Sequence, residues 1–235
     1  MITKYISKIQ EAQFGDDFKL GIVIGRLKKS PHCGIAYNLD DVPEIIHFCG
    51  HNKTMHEKDK NFFSDIIVKH NFRPMVQESL CSFLDVLAEA IDKKEIKIPY
   101  AYRYDNYSDF DVDNQLILDE KSNGLTCATF LLTLFHHVGI DLIDLNSWPQ
   151  RNEDEQKEKA TKILFWKNKE RIDVSREHIL KMEDEIGCKR YSPEEVAISS
   201  ALYNESSAPS ELIIEAGKEL SEYIQKEVEK VEGTS

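Results

Sequence analysis

The sequence predicts an α+β fold in which a small antiparallel sheet packs on one central helix, with further helices in the last third of the chain. Three observations predict it. Short runs rich in β-branched residues lie near the amino terminus. An almost entirely apolar run follows Cys127, and after Pro149 apolar residues recur at helical spacing among many charges. The expected division is a domain of residues 1–150 and a helical extension, 151–235, that packs on it or extends from it.

The sheet is predicted from three consecutive segments, 18–27, 32–39 and 44–49. Each is short and rich in β-branched residues, as is typical of buried strands. Turn-forming residues at 28–31 and 38–41 separate them, so an antiparallel meander is expected. Weaker patterns predict a short helix over 4–13, a loop with a short helix over 51–71, and strands at 96–98 and 115–118.

Helices are predicted where apolar residues follow i, i+3 and i+4 spacing. The first begins at Pro74, a residue suited to a first turn, and continues to about residue 92. The Cys127 helix has almost no polar face and is therefore expected at the centre of the protein. Three more are expected over 175–186, after the capping box at Ser192, and beyond a break at 204–209.

Composition limits the partners and the compartment. With 30 basic against 42 acidic residues, the net charge of −12 disfavours nucleic acid and anionic membranes as partners. The five cysteines are odd in number and irregularly spaced, which favours reduced thiols over a disulfide framework. The sequence has neither signal-peptide architecture nor an apolar run that could span a membrane. A cytoplasmic protein is expected, and delivery as an effector by another export route stays open.

Cys127 is the residue most suggestive of chemistry. It follows a loop marked by Gly124 and begins an apolar segment that ends near Gly139. A thiol at a helix start faces unpaired N–H groups and the positive end of the helix dipole, both of which favour the nucleophilic thiolate. A cysteine nucleophile also needs a base and a group that orients the base.

His32 is the best candidate for that base among the eight histidines. It begins a predicted strand directly after a turn, and the following Gly34 leaves room beside it. His47 lies on the next predicted strand and, in a hairpin, would face the same side and orient His32. A single histidine is more often a surface or core residue, so the pairing with Cys127 carries the hypothesis.

Several strings resemble the NlpC-type papain-like cysteine hydrolases. They are Ile98-Pro99-Tyr100-Ala101-Tyr102, Gly124-Leu125-Thr126-Cys127-Ala128-Thr129-Phe130, Gly139-Ile140-Asp141-Leu142, His32-Cys33-Gly34-Ile35-Ala36-Tyr37 and Ile45-Ile46-His47. His32 precedes Cys127 by 95 residues (127 minus 32), an order that resembles the circularly permuted branch, which includes the lecithin:retinol acyltransferase-like proteins. The resemblance covers residues 18–148. The Asn-Cys-Glu-His string of the acyltransferases is absent, which argues against lipid acyl transfer.

The resemblance implies a permuted papain-like catalytic domain at 1–150 and assigns roles. Cys127 would be the nucleophile, His32 the base and His47 the orienting residue. The N–H of Cys127, near Thr126, would form part of an oxyanion hole, and Tyr100 would either supply a hydroxyl or serve as a buried aromatic. The substrate would contain a peptide, amide, isopeptide or ester bond. Acyl transfer and a non-catalytic binding role are the alternatives, and the oligomeric state is open.

No cofactor or metal is predicted. A zinc site built from His47, Cys49, His51 and His56 is a less favoured alternative, since no second ligand pair matches it elsewhere. The sequence at 109–113 superficially resembles a calcium loop but lacks the required glycine and distal glutamate. The cysteines other than Cys127 are interpreted as small buried apolar residues.

Overall fold

An antiparallel sheet and a set of helices make up the computed structural model. It describes residues 2–9, 11–12, 14–15, 17–27, 30–38, 43–58, 66–111, 113 and 115–232. Over these residues there are one six-stranded sheet, one two-stranded ladder and six α-helices. The predicted α+β class with an antiparallel sheet is therefore confirmed.

The large sheet contains the predicted meander. Its strands are β1 (Ile6–Lys8), β2 (Leu20–Leu27), β3 (Ser30–Tyr37), β4 (Glu44–Gly50), β5 (Lys53–Glu57) and β6 (Ile66–Val68). Their spatial order is β1-β6-β2-β3-β4-β5, and all neighbours are antiparallel. The separate ladder pairs β7 (Asp109–Phe110) with β8 (Leu116–Ile117), which confirms the strand predicted at 115–118. Of the predicted turns, residues 28–29 and 39–41 lie outside the described part of the chain.

The helices follow the sequence pattern closely. They are α1 (Pro74–Asp92), α2 (Cys127–His137), α3 (Asn152–Ile172), α4 (Arg176–Asp184), α5 (Pro193–Leu202) and α6 (Ser210–Glu232). Pro74 is at the first turn of α1, and Ser192 caps α5 in a capping box with Glu195, both as predicted. Among the described helices, none is both long and apolar enough to cross a bilayer.

Three local predictions were wrong. Instead of a helix over 4–13, a 3-10 helix (Ile2–Tyr5) leads into β1, because β1 pairs with β6. Within 51–71, predicted as loop and short helix, the described residues include β5 and β6, which pair with β4 and β2, and residues 59–65 lie outside the described part of the chain. Residues 96–98 are irregular rather than a strand, although Ile98 is buried. Tertiary pairing decided the first two cases.

One apolar core joins the sheet to helices from both halves of the sequence. Residues 128–135 of α2 are all buried, as its sequence predicts. The same cluster contains Ile35 of β3, Leu84 of α1, Ile198 of α5 and Leu220 of α6, each fully buried. Helices α5 and α6 therefore share this core with the sheet and α2, whereas apolar residues of α3 and α4 form a separate cluster with Tyr102.

Gly34 allows β3 and β4 to approach closely where the candidate histidines lie. A Cβ at this position would come within 2.8 Å of the His47 Cβ and 2.9 Å of the Ile46 carbonyl oxygen. Such contacts are shorter than packed atoms tolerate, so a side chain here would push β4 outwards. The sequence predicts that Gly34 leaves room beside His32. In the structure, the missing side chain of Gly34 leaves room for His47 on the neighbouring strand.

We expect Gly34→Ala to lower the free energy of unfolding by about 1–3 kcal/mol, the usual cost of overpacking. Gly15→Ala is the matched control, because no described atom lies within 4 Å of a Cβ built there; we expect it to change stability by less than about 0.5 kcal/mol. Urea unfolding of both variants measures the difference. Equal effects would contradict the tight strand contact.

Candidate active site

Cys127 is the first residue of α2, and the residue is partly exposed. The preceding Thr126 caps the helix: its hydroxyl accepts a hydrogen bond from the Thr129 N–H at 3.2 Å. The Thr129 hydroxyl in turn accepts from the Thr126 N–H at 2.8 Å. This reciprocal capping box fixes the start of the helix at the cysteine, so the thiol faces the N-terminal N–H groups and the positive end of the dipole.

The chain before Cys127 is held against the Pro99–Tyr100 segment. The Pro99 carbonyl accepts from the Leu125 N–H at 2.9 Å, and the Leu125 carbonyl accepts from the Ala101 N–H at 3.3 Å. A Cβ on Gly124 would lie 2.2 Å from the Pro99 carbonyl oxygen, so only glycine permits this approach. The Pro-Tyr string of the sequence therefore braces the nucleophile loop.

Glu185, at the C-terminal end of α4, ties the same two segments together. Its side chain is buried (residue 1% exposed). One oxygen accepts from the backbone N–H groups of Tyr102, at 2.7 Å, and Arg103, at 3.1 Å. The other accepts from the backbone N–H of Asn123, at 3.2 Å, and from its side-chain amide, at 2.7 Å. The helical region thus supports the loop in front of Cys127.

Neighbouring side chains favour the thiolate form of Cys127. A hydrogen bond from the Cys33 thiol is the largest influence; burial opposes it, and the hydrogen bond and charge of His32 assist it. Together they hold the pKa of Cys127 well below the usual thiol value. Burial and the nearby Cys127 raise the pKa of Cys33 well above that value, so Cys33 remains a protonated donor.

The two candidate histidines are in direct contact. His32 Nε2 lies 2.8 Å from His47 Nδ1, and both residues are buried, at 5% and 2% exposure. On the far side, His47 Nε2 lies 3.1 Å from a carboxylate oxygen of Glu57. Burial and the charge of His32 lower the pKa of His47 to about 3, which keeps its imidazole neutral at physiological pH. The structure therefore brings Cys127, His32 and His47 into one cluster.

Tyr100 lies at the aromatic side of this cluster. Its half-buried ring packs 6.3 Å from Phe48 and 5.1 Å from Phe165, measured between ring centroids. Burial is the main cause that raises its pKa to about 12, and the charge of Cys127 adds to the effect. The hydroxyl therefore stays protonated near the nucleophile, while the ring serves as packing. Whether Tyr100 contributes a hydroxyl to the chemistry stays a prediction.

The donor atoms of His32, His47 and Cys49 lie within 4.8 Å of one another, as those of a metal site would. However, the two imidazole nitrogens are already joined by a short hydrogen bond, which a proton satisfies without an ion. The other proposed zinc ligands are engaged elsewhere, since His51 accepts from the Tyr100 N–H and His56 contacts Glu44. The geometry favours a proton-sharing cluster, and the absence of a metal stays a prediction.

The sequence patterns do not identify three residues that belong to this region. Cys33 was interpreted as a small buried apolar residue, although its position directly after His32 in a strand was a usable signal. Glu57 was assigned to a loop because the pairing of β5 was not foreseen. Glu185 carries no local signal at all, since its four donors come from segments about 60 to 80 residues away.

No protein-family model, curated protein or solved structure matches this chain.

We expect Glu185→Gln to lower the free energy of unfolding by about 2–4 kcal/mol, because an amide N–H₂ would face backbone N–H donors that lose their acceptor. Glu183→Gln is the matched control on the same helix, where the carboxylate is exposed and pairs with Lys162; we expect it to cost under about 1 kcal/mol. Urea unfolding compares them, and similar losses would contradict a bracing role for Glu185.

Proposed function

We propose that this protein is a thiol hydrolase that cleaves an amide, isopeptide or ester bond through an acyl-cysteine intermediate. Cys127 is the nucleophile, His32 the general base and acid, and His47 the residue that orients His32. The observation that carries the proposal is the buried pair of imidazoles, His32 and His47, beside a partly exposed cysteine residue whose thiol pKa is lowered. A structural cysteine requires none of these features.

The reaction divides into two half-reactions. The Cys127 thiolate attacks the carbonyl carbon, and the developing oxyanion is stabilised by N–H groups at the start of α2. His32 then donates its proton to the leaving amine or alcohol, and a thioester remains on Cys127. In the second half, His32 takes a proton from water, the hydroxide attacks the thioester, and the free acid leaves with the thiolate regenerated.

The order of the parts supports a permuted papain-like arrangement. His32 stands on β3, and Cys127 begins a buried helix that contacts the sheet, so the histidine strand precedes the cysteine helix along the chain. The resemblance seen in the sequence implies the same order and the same three residues. The third residue, His47, lies on the strand next to that of His32, as the resemblance also implies.

Selective alkylation tests the nucleophile. We expect iodoacetamide to modify Cys127 at pH 7 at least about tenfold faster than the other four thiols, because its pKa is lowered and theirs are not. Below pH 7 this rate should stay near its plateau, whereas the rate of a normal thiol falls about tenfold per pH unit below its pKa. Tandem mass spectrometry of each cysteine peptide measures the rates.

His32→Ala should reduce this advantage, because the hydrogen bond and charge of His32 assist the thiolate while the Cys33 hydrogen bond remains. His136→Ala is the matched control, since His136 lies on the last turn of α2 and pairs with Asp141. Comparable modification of all five thiols in the unaltered protein would contradict the proposal.

Trapping of the intermediate tests catalysis itself. With p-nitrophenyl acetate as probe, we expect a burst of p-nitrophenol and an acetyl group on Cys127 in the rapidly quenched protein. His32→Ala should slow the burst by about 10²-fold or more, the usual contribution of general acid–base catalysis. Intact mass and peptide mapping measure the adduct. Acetylation of lysines alone, or a burst that survives in Cys127→Ala, would exclude the acyl-cysteine route.

A further inference from the structure

The polar chain of the candidate site does not end at His47 but continues to Glu57 on the edge strand β5. In the β4–β5 register His47 is paired with Met55, and Glu57 lies two residues after Met55 on β5. Residues two apart on a strand share a face, and such diagonal neighbours are within reach of long side chains. The Glu57 carboxylate thus reaches His47 Nε2 at 3.1 Å while remaining 29% exposed to solvent.

The partners of His47 determine where its single proton sits. Because its pKa is about 3, the imidazole is neutral and carries one N–H and one lone pair. A carboxylate only accepts, so the proton belongs on Nε2, facing Glu57. The lone pair then belongs on Nδ1, which lies 2.8 Å from His32 Nε2 and 3.3 Å from the Cys49 sulfur.

Cys49 is compatible with this assignment but does not decide it. Burial raises the pKa of its thiol to about 12, so the sulfur keeps its proton. The sulfur lies 3.3 Å from Nδ1 and 3.8 Å from Nε2 of His47, beside the ring rather than along either lone pair, so the assignment rests on the Glu57 and His32 contacts.

We propose that Glu57 is a positioning residue that fixes His47 as its Nε2–H tautomer and thereby directs His32 Nδ1 towards Cys127. This inference rests on the proposed function and extends it by a fourth residue. With Nε2–H donated to His47, the remaining nitrogen of His32 is the one that exchanges a proton with the thiol. With His32 protonated at Nε2, the opposite tautomer of His47 would set two N–H groups against each other.

The test is nitrogen-15 NMR of the full chain labelled at histidine, combined with iodoacetamide modification of Cys127. In the unaltered protein we expect the His47 resonances of a neutral ring protonated at Nε2. Glu57→Ala should give a mixture of tautomers and slow the modification of Cys127 by about tenfold, a loss typical of removing the partner that orients a working imidazole. Glu57→Gln should retain the single tautomer, because the amide oxygen still accepts from Nε2–H.

Glu44→Ala is the matched control. Glu44 is 27% exposed, lies on the adjacent strand β4, and contacts a different histidine, His56, at 2.6 Å. We expect this variant to lose that contact without changing the His47 tautomer or the modification rate of Cys127. A loss of reactivity equal to that of Glu57→Ala would assign the effect to general loosening of the sheet and overturn the proposal.

The two proposals fail in different ways. A His47 ring protonated at Nδ1 in the unaltered protein overturns the role of Glu57 by itself, with no variant needed, even where Cys127 is hyper-reactive. An unchanged single tautomer in folded Glu57→Ala overturns it as well. Conversely, an ordinary thiol at Cys127, with a tautomer that depends on Glu57, rejects the hydrolase proposal and retains Glu57 as the residue that fixes His47.

Discussion

The hydrogen bond between the buried imidazoles of His32 and His47 is the interaction on which the candidate site depends. Burial makes a charge on either ring costly, and two adjacent positive charges would be costlier still. Because its pKa is lowered, His47 stays neutral and accepts a hydrogen bond from His32. The Cys127 thiolate, favoured by the hydrogen bonds from Cys33 and His32, lies beside this pair. The proton shared by the two imidazoles and the negative charge on the Cys127 sulfur thus provide partners for polar groups that would otherwise be costly to bury.

The surrounding fold constrains the positions of His32 and His47. β3 and β4 approach closely at Gly34, which sets the distance between the strands that carry the two histidines. The capping box of α2 sets the position of Cys127, and the apolar body of that helix is packed in the core. Each element is therefore fixed by ordinary packing, and the site forms where the fixed parts meet.

The sequence predicted the parts that local patterns determine. Amphipathic spacing identified α1 and α6, the capping box identified the start of α5, and β-branched runs identified β2 to β4. It also singled out Cys127, His32 and His47, since each sits at a recognisable element boundary or within a strand. What it missed depends on pairing between distant segments: β1, β5 and β6 are short and gain their stability from neighbours rather than from composition. The sequence does not identify Glu57, because it does not predict β5. It does not identify Glu185, because no local pattern distinguishes a buried acceptor from a surface glutamate.

The carboxylate of Glu185 has a consequence for how the protein is made. It accepts four N–H groups from residues 102–103 and 123, all of which leave the ribosome well before it does. During synthesis, the N–H donors in front of Cys127 therefore lack their Glu185 acceptor until α4 has emerged. Helices α5 and α6 join the core later still. The thiol thus acquires its final surroundings only after α4 to α6 have been made, so a nascent chain carries the nucleophile long before it carries the finished site.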